Sequence, residues 1–155
     1  MNSDGTGQTK LTDTPLQESY ASWSHDRSKI LFSYDSEIQV MNSDGSGRSS
    51  LTNSSTIQHV GDWSPTWSPD DSKIVFDSNR DGIGYNSEIY VMDADGSNVT
   101  RLTYNNVNDN SPDWSPDGAK ITFTAWYPGN PSGNLNIFVM NADGSGQTSL
   151  TNTHT

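Results

Sequence analysis

The feature that most constrains this chain is an internal repeat. Leu-Thr pairs begin at Leu11, Leu51, Leu102 and Leu150, at intervals of 40, 51 and 48 residues. Three of the units also share Trp-Ser, Lys-Ile, Val-Met and Asp-Gly motifs in the same order. Self-similarity at a period of about 40 to 50 residues is typical of repeat architectures. The chain is therefore expected to fold as repeated units.

Each unit is predicted to contain four short β-strands. In the second unit these are strand a ending at Trp67, strand b at 73–76, strand c at 88–92 and strand d at Leu102. An Asp-Gly pair separates strands c and d, and Asp-Gly between apolar runs is a strong hairpin signal. No window shows the 3.6-residue period of a helix, and Gly, Pro and Asn are frequent. The fold class is therefore all-β.

The second unit resembles the TolB-type, WD-repeat-like β-propeller blade. The resemblance rests on Asp-Trp-Ser-Pro-Thr-Trp-Ser-Pro-Asp at 62–70, Lys-Ile-Val-Phe at 73–76 and Glu-Ile-Tyr-Val-Met at 88–92. The third unit matches through Trp-Ser-Pro-Asp-Gly at 114–118, whereas Ser-His-Asp-Arg at 24–27 replaces the proline turn of the first. The resemblance implies a β-propeller with three four-stranded blades. The blades fall at about 13–52, 53–103 and 104–152, with an extra outer strand at 1–12.

Composition excludes several classes of function. The chain has 8 basic and 19 acidic residues and a formal charge of −11, so a nucleic-acid partner is not expected. It has no apolar run long enough for a membrane span and no cysteine for disulfides or thiolate chemistry. The amino terminus carries no signal-peptide pattern. Localisation is therefore open from the sequence, although the resemblance implies a periplasmic or extracytoplasmic protein.

The units differ in length only in their b–c and d–a connections. In an antiparallel blade these connections lie at one end, opposite the a–b and c–d hairpins, and irregular loops on a rigid scaffold often carry binding. Three aromatic residues fall in or beside the b–c connections: Tyr85, Trp126 and Tyr127. They are candidate ligand-binding residues that could stack on a sugar or anchor a protein partner. The alternative is a loop that folds over its own aromatics.

One b–c connection matches a calcium-binding loop. Residues 77–88 fit the pattern D-x-[DN]-x-[DN]-G-x5-E, with Asp77, Asn79, Asp81 and Glu88 as candidate metal ligands. Calcium requires six to eight oxygen ligands, which this spacing can wrap around one ion. The flanking strands differ from the helices of an EF-hand, so an ordinary b–c loop is the alternative. Calcium is the one candidate cofactor.

A second acidic set precedes the repeated tryptophans. Glu18, Asp62 and Asp109 each stand five residues before the Trp of their unit, at the start of the innermost strand. They are candidate channel-mouth carboxylates that could hold a cation or receive a basic partner segment. The alternative is that they cap loops or bond to the next blade.

The sequence does not predict an enzyme. The histidines His25, His59 and His154 stand in turns, a loop and the terminal tail, and no Gly-x-Ser-x-Gly elbow is present. Acid–base chemistry by two channel carboxylates stays open, but no pair is singled out.

The number of blades predicts association. Propellers close with about four to eight blades, and three would leave apolar sheet faces exposed. Two chains supply six blades, the count that the TolB resemblance implies, so we expect a homodimer that closes one ring. The chain has four d segments for three a–b–c sets, and either end could supply the outer strand of the third blade.

Three functions follow from this interpretation. The first is a non-catalytic scaffold that binds a protein or peptide through its loop face or channel mouth. The second is a carbohydrate-binding or cell-surface propeller. The third is a gating or accessory fragment of a larger propeller enzyme.

Overall fold

The computed structural model describes residues 4–54, 60–81, 86–126 and 135–151. Its strands form three four-stranded antiparallel sheets, ordered β1-β2-β3-β4, β5-β6-β7-β8 and β9-β10-β11-β12. The strands are β1 Glu18–Trp23, β2 Lys29–Tyr34, β3 Glu37–Asn42, β4 Ser49–Ser50, β5 Asp62–Trp67, β6 Lys73–Ser78, β7 Glu88–Asp93, β8 Thr100–Arg101, β9 Asp109–Trp114, β10 Lys120–Trp126, β11 Leu135–Asn141 and β12 Thr148–Ser149.

The predicted all-β propeller fold is confirmed. Each sheet is a blade in which the strands follow chain order, and the strands of the three blades span residues 18–50, 62–101 and 109–149. Within the described ranges no helix is long and apolar enough to cross a membrane.

One hydrogen-bonded turn joins strands a and b in every blade. In the second blade the hydroxyl of Ser68 donates to Asp70 and accepts the backbone N–H of Lys73, at 2.6 and 2.9 Å. The first blade makes the same contacts from Ser24 to Asp26 and Lys29, although its sequence lacks the proline. The turn therefore depends on the Ser-x-Asp spacing, which explains why an unusual sequence still folds into it.

The c–d turns connect neighbouring blades. Gly96 has a φ of +88°, and a Cβ at this position would lie 2.6 Å from the carbonyl oxygen of Leu51 in the preceding blade. Gly144 repeats this relationship with Leu102 at 2.9 Å. Glycine is required here by both the left-handed backbone and the close approach. The Asp-Gly motif therefore sets the contact between blades as well as the hairpin.

The core lies between the blades. Leu31 and Ile38 of the first blade pack with Trp67, Ile74 and Phe76 of the second. The second junction repeats this arrangement with residues from the second and third blades, namely Val75, Ile89, Leu102, Ile121, Phe123 and Met140. Each junction is thus built from one face of each of its two blades, as in a radial stack.

The extra outer strand expected at 1–12 stays a prediction. Residues 4–12 are described, but they are not hydrogen-bonded into a sheet in a single chain. The outer edge of β11, which such a strand would need, is occupied by β12.

Candidate functional site

The three inner strands share an irregularity at the same position. The pairing register shifts between Ser19 and Ser22 in β1, and equivalent shifts occur in β5 and β9. At these bulges Tyr20, Ser64 and Ser111 have φ values of 56°, 51° and 52°. Positive φ is uncommon for residues other than glycine, and bulges often re-aim side chains next to binding sites. The repeated bulge marks the inner strands as a candidate site.

The bulges line one continuous surface. Because β1 packs on β5 and β5 on β9, the inner strands form a wall beside a cavity of about 270 Å³. Tyr20, Ser64 and Ser111 lie along it together with Pro65 and Pro112. Tyr20 is 55% exposed and supplies an aromatic ring where the other blades have serine. This wall can offer hydroxyl groups and one aromatic face to a ligand.

Sequence reasoning missed Tyr20. The residue stands two positions after Glu18, where the other units have Ser64 and Ser111 after their acids. Comparing the units at that position would have found the substitution. The bulge itself leaves no sequence signal, since none of these residues is a glycine.

Asp77, a predicted calcium ligand, instead contacts the bulges. Its carboxylate accepts the backbone N–H of Ser111 at 3.1 Å and the hydroxyl of Ser87 at 3.3 Å. Burial raises the pKa of Asp77, while hydrogen bonds from Ser64, Ser111 and Ser87 oppose that shift. The side chain therefore helps to hold the inner strands of the second and third blades together.

The other predicted calcium ligands bond to separate groups. The Asn79 side-chain oxygen accepts the Gly61 N–H at 2.8 Å, and Asp81 accepts the Tyr90 hydroxyl at 2.9 Å. Glu88 is buried and pairs with Arg101 at 2.7 Å. Residues 82–85 of the loop lie outside the described residues, and among those described no group of three or more acidic or histidine side chains could hold a metal ion. Calcium binding here stays a prediction.

The predicted channel-mouth carboxylates occupy the first position of each inner strand. Asp62 is fully buried and pairs with Arg80 at 2.6 Å, and the Ser54 hydroxyl also donates to it. Glu18 pairs with Arg48 at 3.2 Å and accepts the Thr12 hydroxyl. These contacts favour the alternative in which the acids cap loops.

Asp109, the third of these acids, has a different environment. It is fully buried, and one oxygen accepts the Asn105 side-chain amide at 2.7 Å. The other oxygen has no hydrogen-bond partner within the described part of the chain. Burial raises the pKa of Asp109 to about 6. The three acids are thus chemically unequal although they share a position.

The aromatic residues of the predicted loop face are only partly described. Trp126 ends β10 and is 40% exposed. Tyr85 and Tyr127 lie outside the described residues. Whether the three form one surface stays a prediction.

The hairpin end carries a cleft that the sequence analysis did not anticipate. Between the first two blades Asp71 accepts the backbone N–H groups of His25 and Asp26 at 2.8 and 2.9 Å. Gly118 takes the place of Asp71 in the third blade, beside a cleft of about 550 Å³ that Pro69 also lines. The two junctions therefore differ in polar contacts although their cores are alike.

Comparison with known proteins supports the architecture. The family model described as the TolB beta propeller domain matches residues 33–123 and 63–155. No curated protein matches the chain. The solved structure of putative TolB from Agrobacterium tumefaciens is similar, with 26% identity and a TM-score of 0.74. That similarity covers 91% of this chain and 51% of the other, so the chain spans about half of that protein.

Two further structures share the fold. TolB from Acinetobacter baumannii is 25% identical with a TM-score of 0.72, covering 91% of this chain and 34% of its own. An oligogalacturonate lyase in complex with manganese is 18% identical with a TM-score of 0.67, covering 90% of this chain and 37% of its own. At that identity the lyase shows the fold alone.

Proposed function

The chain belongs to the TolB β-propeller domain family, and from that premise we propose that it is a non-catalytic scaffold that binds a protein or peptide. The observation that carries the proposal is the wall of repeated bulges, where Tyr20, Ser64 and Ser111 face one cavity. A bulge leaves its extra residue out of the strand ladder, and an exposed aromatic is a common anchor at interfaces. The arginine pairs of Glu18 and Asp62 support a structural role for those two acids. An extracytoplasmic location is part of the proposal, on the family resemblance.

The proposal includes a ring made of two copies. Ile137 and Leu150 on the free face of the third blade are 45% and 60% exposed, whereas the equivalent Ile89 and Leu102 are buried in the second junction. On the free face of the first blade Trp23 is 56% exposed, whereas the equivalent Trp67 is buried. Exposed apolar patches of this kind favour association.

A two-fold axis along the channel would place these two faces against each other. At the internal junctions, the residues at these equivalent positions already pack against the neighbouring blade. This equivalence is the argument that a second copy covers the two free faces. The half-length match to the Agrobacterium protein is in keeping with a ring of twice as many blades.

Peptide selection tests the binding site. Peptides from a random displayed library would be selected on the wild-type protein and their affinities measured for Tyr20→Ser and Trp126→Ala. Serine is the residue that the other two blades carry at this position, so Tyr20→Ser removes the ring and keeps the backbone compatible. We expect Tyr20→Ser to weaken binding about tenfold or more and Trp126→Ala to leave it unchanged.

The opposite pattern would overturn the proposed site. Binding that survives Tyr20→Ser but is lost in Trp126→Ala places the interaction on the loop face. The exposure of Trp126 favours carbohydrate as the second candidate ligand, because exposed aromatic rings stack on sugars. A glycan array probed with the wild type and Trp126→Ala distinguishes this function from the first.

A further inference from the structure

Residues 4–6 have the local structure of a c–d turn. The Asp4 carboxylate accepts the Thr6 backbone N–H at 2.9 Å and its hydroxyl at 2.7 Å, as Asp44 does for Ser46 in the first blade. Gly5 has a φ of 83°, close to the 87° of Gly45. The segment therefore begins with the turn that closes a blade between its c and d strands.

The segment also packs as an outer strand would. A Cβ on Gly45 would lie 2.8 Å from the carbonyl oxygen of Leu11, as one on Gly96 would lie 2.6 Å from that of Leu51. Thr12 donates to Glu18 at the start of β1, and Ser54 donates to the equivalent Asp62. Against the first blade, residues 4–12 thus occupy the place that the preceding blade's outer strand occupies at the internal junctions.

We propose that residues 8–12 of one copy form the outer strand of the third blade of a second copy and displace β12 there. This inference rests on the two-copy ring proposed above. In that ring the third blade of one copy precedes the first blade of the other, so its β11 edge faces Leu11. Either Leu11 or the second copy's Leu150 can lie against Gly45, but not both, because a single outer strand fits there.

The contacts favour Leu11 over Leu150. Leu11 already lies against Gly45, and its segment leads directly into β1 with the Thr12–Glu18 bond formed. β12 is a two-residue strand whose pairs, Phe138 with Ser149 and Val139 with Thr148, can be replaced one for one by Lys10 and Thr9. Thr12 would then take over from Thr151 as acceptor of the Ile137 N–H. Exchange of this kind ties two copies together by strand addition.

Engineered disulfides test the exchange directly, because the chain has no cysteine of its own. The Leu150 N–H donates to the Ile137 carbonyl, so Ile137 and Leu150 form a hydrogen-bonded pair. Because such pairs alternate along an antiparallel ladder, the adjacent Phe138–Ser149 pair is a non-hydrogen-bonded one, and its shorter Cα–Cα distance suits a disulfide. The test variant carries Lys10→Cys and Phe138→Cys, and its matched control carries Phe138→Cys and Ser149→Cys. Both lose the Phe138 ring, so that cost is common to them.

We expect the test variant to form an intermolecular disulfide and run as a covalent dimer on a non-reducing gel. The control should form little internal disulfide while the protein is dimeric. Two outcomes in a protein of dimer mass would overturn the exchange: an internal disulfide in the control, or no cross-link in the test variant. Either outcome would leave the proposed ring intact. Monomer mass for the wild type overturns the ring itself.

Truncation gives a second measure if the cysteine variants fail to fold. Removing residues 1–12 should weaken dimerisation about tenfold or more, whereas removing 148–155 should leave it unchanged or strengthen it. The reverse order would show that β12 keeps its place.

Discussion

The carboxylate of Asp71 in the second blade accepts the backbone N–H of His25 in the first blade, at 2.8 Å. A second bond from the Asp26 N–H makes the contact bidentate, and the His25 ring nitrogen Nδ1 lies 3.1 Å from the same carboxylate. These bonds join two a–b turns across a junction whose interior is apolar. They form a polar link between the two blades at the hairpin end. At the second junction Gly118 stands in place of the acid and has no side chain to accept such bonds.

Removing that polar link should destabilise the protein. We expect Asp71→Ala to lower the free energy of unfolding by about 1–2 kcal/mol, since two backbone N–H groups lose their acceptor. Asp71→Asn keeps one acceptor oxygen and tolerates the left-handed backbone of this position, so its loss should be smaller. Urea denaturation of the three proteins checks the order, and equal losses in both variants would show that the backbone bonds contribute nothing.

Two glycines with the same conformation should respond differently to alanine. Gly96 and Gly5 have φ values of 88° and 83°. A Cβ at Gly96 would lie 2.6 Å from a carbonyl oxygen, whereas no atom of the described residues lies within 4 Å of the Cβ position at Gly5. Both substitutions introduce the same backbone strain, so the difference isolates the contact between blades. We expect Gly96→Ala to cost about 1–3 kcal/mol more than Gly5→Ala in chemical denaturation.

Similar costs in the two variants would contradict this interpretation. They would mean that the Leu51 backbone moves away without loss, and that the junction does not depend on the Asp-Gly turn.

Stability should fall with rising pH because of Asp109. Burial raises the pKa of this carboxyl from 3.8 to about 6, so between these values the folded state binds more protons than the unfolded state. The contribution of Asp109 is therefore lost as the pH rises through that window. Asp109→Asn, which cannot ionise, should be more stable than the wild type at pH 7 by roughly 1–3 kcal/mol and should lose that advantage near pH 4.

Denaturation of both proteins at the two pH values measures this difference. A constant difference across the range would show that Asp109 titrates normally and that its burial is relieved in solution.

Calcium binding by the 77–88 loop is tested by calorimetric titration. The prediction is heat on addition of calcium to the wild type and its loss in Asp81→Ala, because Asp81 supplies one of the oxygens in the pattern. Asp44→Ala, which alters a carboxylate of a c–d turn, is the matched control. Heat in none of the three proteins ends the calcium hypothesis.

The strands were predictable because the repeat marks them independently of any one unit. Ser-Pro and Asp-Gly turns at fixed spacing delimit the apolar runs. Even across the divergent turn at 24–27, β1 and β2 pair in the same register as β5 and β6. The turn itself proved to follow the other two, since Ser24 and Asp26 make the equivalent hydrogen bonds. The spacing of serine and aspartate within the turn therefore determines its conformation.

The site was less predictable, because its features depend on contacts between blades. Nothing local to Tyr20 or Ser64 signals a left-handed bulge, and the acids at Glu18 and Asp62 look alike until their arginine partners are placed. Those partners, Arg48 and Arg80, come from loops outside the inner strands. Position within the unit was therefore visible in the sequence, whereas the partner of each side chain was not.

The mass of the protein in solution tests the central claim that two copies close one ring. Sedimentation equilibrium over a wide range of concentration should give a folded β protein of twice the 16.9 kDa of one chain. The ring predicts that the exposed Ile137 becomes buried in this species. A folded particle that stays at 16.9 kDa at every concentration would contradict the account.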